Sequence, residues 1–520
     1  MSDQPLANSA CDLGDFTPQG ISLKSLLPQS KFIGGKPFQV RSCCGSWKEV
    51  EQDDLYVAIV DAENDGHDFA EQAIKRGATA ILTERLLAID RPQCIVDDSR
   101  IAYGTICQAL AGHPSRQAAT IGVSGTDGKT VTSHLIHSVL REAGISVGLA
   151  SSIQTGWNEY VDTNSPESLN SPSLASMMAK MVMNDCTHAI VEAPNESLAQ
   201  HAFNGIELDV AVLTNIRRDH LTHHTTPENY HRVKMRMLEY LKPNGLAVLN
   251  ADDPTTYKLL DEIEVPALTI GIHQAAEIKA KMIDRFPGEQ TFAIQAGNQT
   301  VPVRTTMIGK HHIYNCLTAT AVALGMGIDL PTIARGLEKV SYVPGRMERV
   351  ECGQDFGLWI DSAHTPSQLA TALQTIRSVV AGKIWCVVST CDNQSQLHRK
   401  QMGQVAERAA DVSILTRSEC VQAVDYEPIH QVVDGFQKAA RPQIIPNRFK
   451  AIQWALAQCG KKDAVLVSGR GQVPFALLGE QAWPVTDRDV CEAWLYDNNA
   501  LAEDNGFEGP DTFNIDDYRE

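Results

Sequence analysis

The stretch Ala119-Thr-Ile-Gly-Val-Ser-Gly-Thr-Asp-Gly-Lys-Thr130 decides the fold of this chain. Residues 119–123 predict a buried strand, and the glycines that follow predict a tight turn into a helix over 130–143. Such glycines let backbone N–H groups turn inward around phosphate oxygens, and the helix N-terminus adds positive potential. Val123 stands where the general phosphate-loop motif has glycine, so the loop is a variant. An ordinary glycine-rich turn is the alternative, but Gly-Lys-Thr in this context favours phosphate binding.

Each residue of the loop has an expected role. The Lys129 ammonium would neutralise the terminal phosphates of a nucleotide, and the Thr130 hydroxyl would bind Mg²⁺. The other nucleotide contacts expected in the loop are those of Gly125, Thr126, Asp127 and Gly128.

The alternation of apolar strand and helix-length segment continues after the loop. Apolar runs at 188–191 and 208–213 end in Glu192 and in Thr214-Asn215. Short apolar strands separated by helices indicate a doubly wound parallel sheet, in which ligands bind beyond the carboxyl ends of the strands. The fold class is therefore predicted to be α/β, with these polar residues at the binding edge of the sheet.

The length of 520 residues predicts about three domains. We expect a smaller α/β N-terminal domain at 1–117 and a central domain with the phosphate-binding loop at 118–344. A Rossmann-like C-terminal domain is expected at 345–496. Residues 497–520 are strongly acidic and predict a disordered tail.

Composition argues against several classes of function. The net charge of −18 disfavours a protein that wraps nucleic acid or lies on an anionic membrane, because both need a basic face. No apolar run approaches the roughly 20 residues of a membrane span, and residues 1–18 lack the pattern of a secretory signal. The thirteen cysteines are odd in number and form no Cys-x-x-Cys pair, which favours reduced thiols in the cytoplasm.

The form Gly-x-x-Gly-Thr-Asp-Gly-Lys-Thr resembles the Mur ligase family, which joins amino acids in peptidoglycan precursors and includes folylpolyglutamate synthases. Further segments resemble the branch that adds the third residue, the UDP-N-acetylmuramoyl-tripeptide synthetases. These segments are Asn64–Phe69, Thr214–Leu221 with Tyr230 and Lys234, Asn250–Pro254, Gly345–Glu348 and Asp361–Pro366. The resemblance runs from about Leu23 to about Val490 and implies that the N-terminal domain binds the UDP-substrate.

The resemblance implies a metal site with two Mg²⁺ ions. It places Glu192, His220 and Lys234 on the metal together with Thr130, and it implies that CO₂ carbamylates Lys234. A carbamate turns a cation into an anionic oxygen ligand, which hard cations prefer. Taken alone, Glu192 could be a capping carboxylate and Lys234 a solvated helix lysine.

The resemblance also implies that ATP is the nucleotide, with contacts at Asn315, Arg346 and Asp361. Arg346 beside the γ-phosphate would stabilise the transferring charge, although a hinge ion pair is the alternative. Lys129, Lys234 and His220 are the expected catalytic residues.

Departures from the family pattern fall in the substrate pockets. Asn164-Ser165 and Asn195 stand in altered segments that contact the UDP-muramoyl dipeptide in the family. At the amine end, Ser418–Val421 replaces an Asp-Asn-Pro-Arg motif whose arginine pairs with a carboxylate. Arg470 could supply a replacement cation there, and His364 is a further residue that is expected to bind substrate.

Three hypotheses follow. The first is a cytoplasmic, monomeric ATP-dependent ligase that converts the D-Glu carboxylate of UDP-N-acetylmuramoyl-L-Ala-D-Glu into an acyl phosphate and then into an amide with an amino acid, diaminopimelate-like or other. The second is a paralogue that acts on another carboxylate, and the third is a nucleotide-binding pseudoenzyme. Retention of the complete set of phosphate, metal and carbamate residues disfavours the third, since a scaffold needs no carbamylatable lysine. The expected partners are small molecules, not nucleic acid.

Overall fold

The computed structural model describes residues 20–34, 39–61, 64–163, 169–217, 227–390, 394–418, 426–437, 442–476 and 484–500. Three of the predicted site residues lie outside these ranges, namely Asn164, Ser165 and His220. The predicted acidic tail also lies outside them from residue 501 onward.

The N-terminal unit is a small α/β sheet. Its main sheet has the order β2-β7-β6-β5-β4, parallel except for the β2–β7 pair, and β1 pairs with β3 in a separate two-stranded sheet. The elements are β1 Ile21–Ser22, α1 Leu23–Leu26, β2 Lys31–Ile33, β3 Gln39–Val40, β4 Cys43–Cys44, β5 Leu55–Val57, α2 Ala70–Arg76, β6 Ala80–Thr83, β7 Gln93–Ile95 and α3 Ser99–Leu110.

The central unit has an eleven-stranded sheet of order β11-β10-β9-β12-β8-β13-β14-β15-β16-β17-β18. Its strands are β8 Ala119–Ser124, β9 Val147–Ala150, β10 Thr155–Trp157, β11 Tyr160–Asp162, β12 His188–Glu192, β13 Leu208–Leu213, β14 Leu241–Asn250, β15 Ala267–Gly271, β16 Ile278–Phe286, β17 Glu289–Ala296 and β18 Gln299–Thr305. Its helices are α4 Lys129–Glu142, α5 Ser171–Met183, α6 Asn195–Ala199, α7 Pro227–Glu239, α8 Pro254–Lys258, α9 Lys310–Gly325 and α10 Leu330–Glu338.

This sheet is doubly wound and parallel from β9 to β16, which confirms the predicted fold class. Alternate residues of one strand face opposite layers of helices, as a two-sided sheet requires. Val212 packs in the cluster formed with α4, α9 and α10, whereas Leu213 packs in the cluster formed with α5, α6 and α7. Antiparallel strands, which the sequence analysis did not predict, extend both edges as β10–β11 and β17–β18.

The C-terminal unit repeats the parallel α/β plan with the order β19-β20-β24-β21-β22-β23, in which only β19 pairs antiparallel among the described strands. The pair β25–β26 lies outside this sheet. The elements are β19 Glu348–Arg349, β20 Gly357–Asp361, α11 Pro366–Arg377, β21 Ile384–Thr390, α12 Gln396–Ala409, β22 Val412–Arg417, α13 Glu427–Val433, β23 Gln443–Ile444, α14 Arg448–Gln458, β24 Ala464–Ser468, β25 Phe475–Ala476, β26 Pro484–Val485 and α15 Asp487–Ala500. Helix α15 thus continues past residue 497, where the tail was expected to begin.

The units share packed surfaces. Ala175 and Ala179 of α5 lie in the same buried cluster as Ile106 and Leu110 of α3, so a helix of the central unit completes the N-terminal core. Among the described residues, no helix combines the length and apolarity that crossing a bilayer would require.

Candidate active site

The phosphate-binding loop joins β8 to α4 at the carboxyl edge of the central sheet, as predicted. Two of its glycines are dictated by close approach. Gly125 has a φ of 143°, and a Cβ there would lie 1.9 Å from Thr214 Oγ1. Gly128 has a φ of 86°, and a Cβ there would lie 2.4 Å from Asn315 Oδ1. Any side chain at either position would therefore need a strained backbone and a displaced neighbour.

Two lysines converge on one carbonyl of the loop. The Nζ of Lys129 donates to Gly125 O and to Thr126 O at 3.1 Å each. The Nζ of Lys234, from α7, donates to the same Gly125 O at 2.8 Å. The structure therefore brings the predicted phosphate lysine and the predicted carbamate lysine to one point.

Lys234 is buried, although it lies on α7, whose sequence pattern is that of an amphipathic helix. Its side chain is only 1% exposed, and its Nζ lies 4.9 Å from the centre of the Tyr230 ring. Tyr230 is tied to the loop because its Oη lies 3.1 Å from Thr126 Oγ1. Burial, with the nearby charge of Lys129, holds the pKa of the Lys234 ammonium well below its usual value, so the amine is biased towards its neutral form.

Oxygen ligands converge at the first turn of α4. The Thr130 hydroxyl donates to Glu192 Oε1 at 3.0 Å and lies 3.1 Å from Ser152 Oγ. The second carboxylate oxygen of Glu192 accepts from Ser152 N at 2.9 Å. Glu192 is buried, at 2% exposure, so this carboxylate is fixed by its partners rather than by solvent. Among the described residues no group of three or more His, Cys, Asp or Glu side chains could hold a metal ion.

A cavity of about 820 Å³ opens beside the loop, between the central and C-terminal units. Five predicted nucleotide residues line it, namely Asp127 and Gly128 of the loop together with Asn315, Arg346 and Asp361. The polar lining also includes residues that the sequence analysis did not assign to the site, among them Arg217, Asp252, His311, His312, Tyr314 and Gln368. The predicted nucleotide residues thus come together from four separate segments.

Asp361 ends β20 on the C-terminal side of this cavity. Its two carboxylate oxygens accept from Met347 N at 2.6 Å and from Ala363 N at 2.8 Å. Burial in the cavity wall raises the pKa of Asp361 to about 6, against the lowering influence of those N–H groups and of Arg346. Arg346 itself lines the cavity and donates to Ser362 Oγ.

The opposite wall carries two neighbouring histidines at the start of α9. The rings of His311 and His312 lie 4.2 Å apart, centre to centre. Burial lowers the pKa of His311 to about 4, and that of His312 falls well below its ordinary value. Both imidazoles are therefore biased towards neutrality, so this wall offers a bound ligand hydrogen-bonding groups without charge.

The predicted substrate residues that the structure describes lie on three different segments. His364 sits just before α11, with Nδ1 2.9 Å from Ser362 O. Asn195 is the first residue of α6. Arg470 donates to Ser418 O at 2.7 Å and to Pro474 O at 2.6 Å, so its guanidinium lies against the start of the altered amine-site segment.

Some residues of the site carried no local signal. Ser152 follows β9 without a motif, and Gln368 lies on a helix of another unit. The position of Ser152 could have indicated its role, because Ser152 follows β9 and β9 neighbours β12. The carboxyl ends of such parallel strands lie at the same edge of the sheet. Gln368 meets the loop only through tertiary packing.

The comparisons with known proteins agree with this geometry. Residues 123–323 match the Mur ligase middle domain, and residues 345–471 match the Mur ligase glutamate ligase domain. The chain is 35% identical over 461 residues to the UDP-N-acetylmuramoyl-L-alanyl-D-glutamate–2,6-diaminopimelate ligase of Geobacillus thermodenitrificans, covering 86% of this chain and 93% of that protein. It is 32% identical to the ligase of the same name from Bacillus licheniformis, over 86% of this chain and 92% of the relative.

Solved structures show the same three-domain fold. A UDP-N-acetylmuramoyl-L-alanyl-D-glutamate–2,6-diaminopimelate ligase superposes with a TM-score of 0.66 at 23% identity, over 92% of this chain and all of the other. The MurF ligase of Thermotoga maritima, solved with ADP, superposes with a TM-score of 0.57 at 20% identity, over 88% and 96% of the two chains. With relatives above 30% identity across most of its length, the chain belongs to the Mur ligase family of ATP-dependent ligases that join an acid to an amino acid.

Proposed function

We propose that this enzyme forms an amide between the D-Glu carboxylate of UDP-N-acetylmuramoyl-L-Ala-D-Glu and the amine of an amino acid, at the expense of ATP, in the cytoplasm and as a monomer. The observation that carries the proposal is the convergence of the phosphate loop, the Thr130–Glu192 pair and Lys234 at one edge of the central sheet. The relatives with the highest identities reported above are ligases for that muramoyl dipeptide.

The residues present fit ATP and Mg²⁺. The glycine cradle leaves no room for a Cβ at positions 125 and 128, as a loop that wraps phosphate requires. Thr130 and Glu192 would hold one Mg²⁺, because their oxygens already lie 3.0 Å apart and are the ligand type that this ion prefers. Asn315, Arg346 and Asp361 would hold the nucleotide from the walls of the cavity.

Lys234 is suited to carbamylation. CO₂ reacts with a neutral amine, and the burial of Lys234 favours that form. The product would be an anionic oxygen ligand in place of a buried amine, beside the carbonyl of Gly125. We propose that this carbamate, together with His220, binds a second Mg²⁺.

The catalytic work of the chain follows from these placements. When bound, ATP supplies the γ-phosphoryl group that converts a carboxylate, a poor electrophile, into an acyl phosphate that an amine can attack. Lys129 would neutralise charge on the phosphates, and Arg346 would do so from the other side of the cavity. The apposition of the C-terminal unit would exclude water and hold the amine close to the acyl carbon.

The amine site is proposed to lie at Arg470 and His364. Arg470 is oriented by the carbonyls of Ser418 and Pro474, so its charge is held at the segment that replaces the family's carboxylate-binding motif. We propose that Arg470 pairs with the amino-acid carboxylate, since a guanidinium favours that partner. Asn164, Ser165 and Asn195 are proposed to contact the muramoyl dipeptide.

Phosphate release tests the proposed function. The enzyme would be given Mg²⁺, ATP, UDP-N-acetylmuramoyl-L-Ala-D-Glu and single amino acids from a panel that includes diaminopimelate and lysine. We expect one amine to give stoichiometric ADP, phosphate and a product whose mass equals both substrates minus water. Lys129→Ala should show no turnover, whereas Lys461→Ala, at an exposed lysine, should match the unaltered enzyme. Silence across the panel with ATP still bound contradicts the proposal, and turnover with a different carboxylate would favour a paralogue.

A further inference from the structure

Asp127 has a protein partner for every polar atom it carries, although it lies within the phosphate-binding loop. Its backbone N donates to Asn215 Oδ1 at 3.0 Å. Its backbone O accepts from Thr214 Oγ1 at 2.6 Å and from Asn215 Nδ2 at 3.0 Å. The main chain of Asp127 is therefore bound to the segment after β13 and is not free to bind phosphate in this arrangement.

The Asp127 carboxylate joins two further segments. Its Oδ1 accepts from Gln368 Nε2 at 2.8 Å, and its Oδ2 lies 3.6 Å from an Nη of Arg217. Gln368 belongs to the first turn of α11, so this hydrogen bond connects the loop of the central unit to the C-terminal unit across the nucleotide cavity.

Gln368 is itself held in place from the side of its own helix. Its backbone N donates to the capping hydroxyl of Thr365 at 3.3 Å. Its side-chain Oε1 accepts from His364 N at 3.3 Å, while the Nε2 of the same amide donates to Asp127. One amide group therefore links the phosphate loop to His364, the residue predicted to lie in the substrate site.

A carboxylate is unexpected in a phosphate-binding loop, because its negative charge repels the phosphate groups that bind there. The effect of its charge reaches the far wall of the cavity, where it adds to the burial that raises the pKa of Asp361. Arg217 offsets the charge of this carboxylate, and the bond from Gln368 makes it a hydrogen-bond acceptor for the C-terminal unit. A hydrogen bond with an ionised acceptor is stronger than one between neutral groups.

We propose that Asp127 and Gln368 form an interdomain contact that positions the C-terminal unit over the phosphate loop, so that Gln368 is a positioning residue for the ligase reaction. Asp127 then serves as a junction between the two units rather than as a phosphate ligand. The kinetic part of the test rests on the proposed ligase function, whereas the contact itself does not.

Exchange of donor and acceptor tests the contact. Gln368→Glu sets a carboxylate against a carboxylate, and we expect kcat to fall about tenfold or more while the Kd for ATP stays within about twofold. Gln368→Ala should cause a smaller fall. The double variant that combines Gln368→Glu with Asp127→Asn again has one amide donor and one carboxylate acceptor, but the charge now lies on residue 368. We expect this double variant to recover most of the lost kcat. Gln374→Glu, the same change at an exposed position of α11, should leave kcat unchanged.

Small-angle scattering with Mg²⁺ and ADP separates failure of the contact from failure of the ligase function. We expect the Gln368→Glu protein to have a larger radius of gyration than the unaltered protein and the double variant, whether or not any amine is turned over. The proposal is overturned if Gln368→Glu has the kcat and the radius of gyration of the unaltered protein. It is also overturned if the fold-loss of kcat in the double variant equals the product of the fold-losses in Gln368→Glu alone and in Asp127→Asn alone. Equal losses in Gln368→Glu and Gln374→Glu would also overturn it.

Discussion

Single residues of the cavity differ in how burial acts on their charge, and Asp361 shows this most clearly. Its folded-state pKa, about 6, lies above the ordinary value of 3.8. The folded protein therefore holds this proton at pH values where the unfolded chain has released it, so ionisation of Asp361 opposes folding. Its contribution to the free energy of unfolding should fall as pH rises from about 4 to about 6 and stay constant above that.

The Asp361→Asn variant measures this effect because it removes the titration and keeps the shape. We expect its midpoint of thermal unfolding, relative to that of the unaltered protein, to rise between pH 4 and pH 6 and to level off above pH 6. The midpoints of both proteins would be measured in parallel across this range. A difference that does not change with pH would show that Asp361 has an ordinary pKa.

Lys234 is the residue that we propose to become carbamylated and to bind a metal ion. If it does, we expect Lys234→Ala to lose at least about 100-fold in turnover, because the variant would lack that anionic ligand. Added acetate or propionate should restore part of the activity by occupying the space of the carbamate, and neither should raise the activity of Lys129→Ala. Full activity in Lys234→Ala without added acid would rule out the carbamate.

The sequence predicted those residues that motifs place at strand ends. The apolar pattern predicted the strand that ends in Glu192. In the structure, the Glu192 carboxylate accepts a hydrogen bond from the Thr130 hydroxyl, so the two predicted residues lie together. The contact between Asp127 and Gln368 was not readable, because it joins residues 241 positions apart through the packing of two units. Local pattern carries no information about which amide will face which carboxylate across a cavity.

At the scale of elements, the same limit explains what was missed in the central sheet. Three of its parallel strands, β8, β12 and β13, were predicted because each contains a short apolar run. Strand β16 alternates instead, with Ile278 and Ala280 buried and Lys279 and Lys281 exposed, as suits a strand with one face in solvent. A search for continuous apolar runs does not find such a strand. The alternation of apolar and polar residues, with a period of two, would have predicted it.

Helix α15 is anchored by a buried ion pair. Arg448 of α14 and Asp487 at the start of α15 are both fully buried, with Nε–Oδ1 and Nη2–Oδ2 distances of 2.7 and 2.6 Å. Asp487→Ala would leave the guanidinium without its counter-charge, and we expect the free energy of unfolding to fall by about 3–5 kcal/mol. Urea denaturation followed by circular dichroism measures this loss.

An exposed pair serves as the control for that measurement. Arg116 and Glu207 form an ion pair in which both side chains are more than one third exposed. Arg116→Ala should therefore cost less than about 1 kcal/mol. If Asp487→Ala costs no more than Arg116→Ala, the buried pair does not anchor the helix.

At the scale of the whole molecule, the active site is assembled from elements that no single unit contains. The loop and Glu192 come from the central unit, whereas Arg346 and Asp361 come from the C-terminal unit. Gln472 also donates to Ile153 O, and Arg285 donates to Ser378 Oγ, so further hydrogen bonds join these two units. The parallel α/β core followed from the sequence, but this mutual arrangement depends on side-chain contacts that only the structure reveals.

The central claim is that these units cooperate to activate a carboxylate by phosphoryl transfer from ATP. Isotope transfer tests it most directly, with UDP-N-acetylmuramoyl-L-Ala-D-Glu labelled with ¹⁸O in the D-Glu side-chain carboxylate and the amino acid found in the panel. Through an acyl phosphate, one ¹⁸O atom passes to each phosphate released, which mass spectrometry detects as a shift of two mass units. Unlabelled phosphate formed together with the amide product would contradict the account.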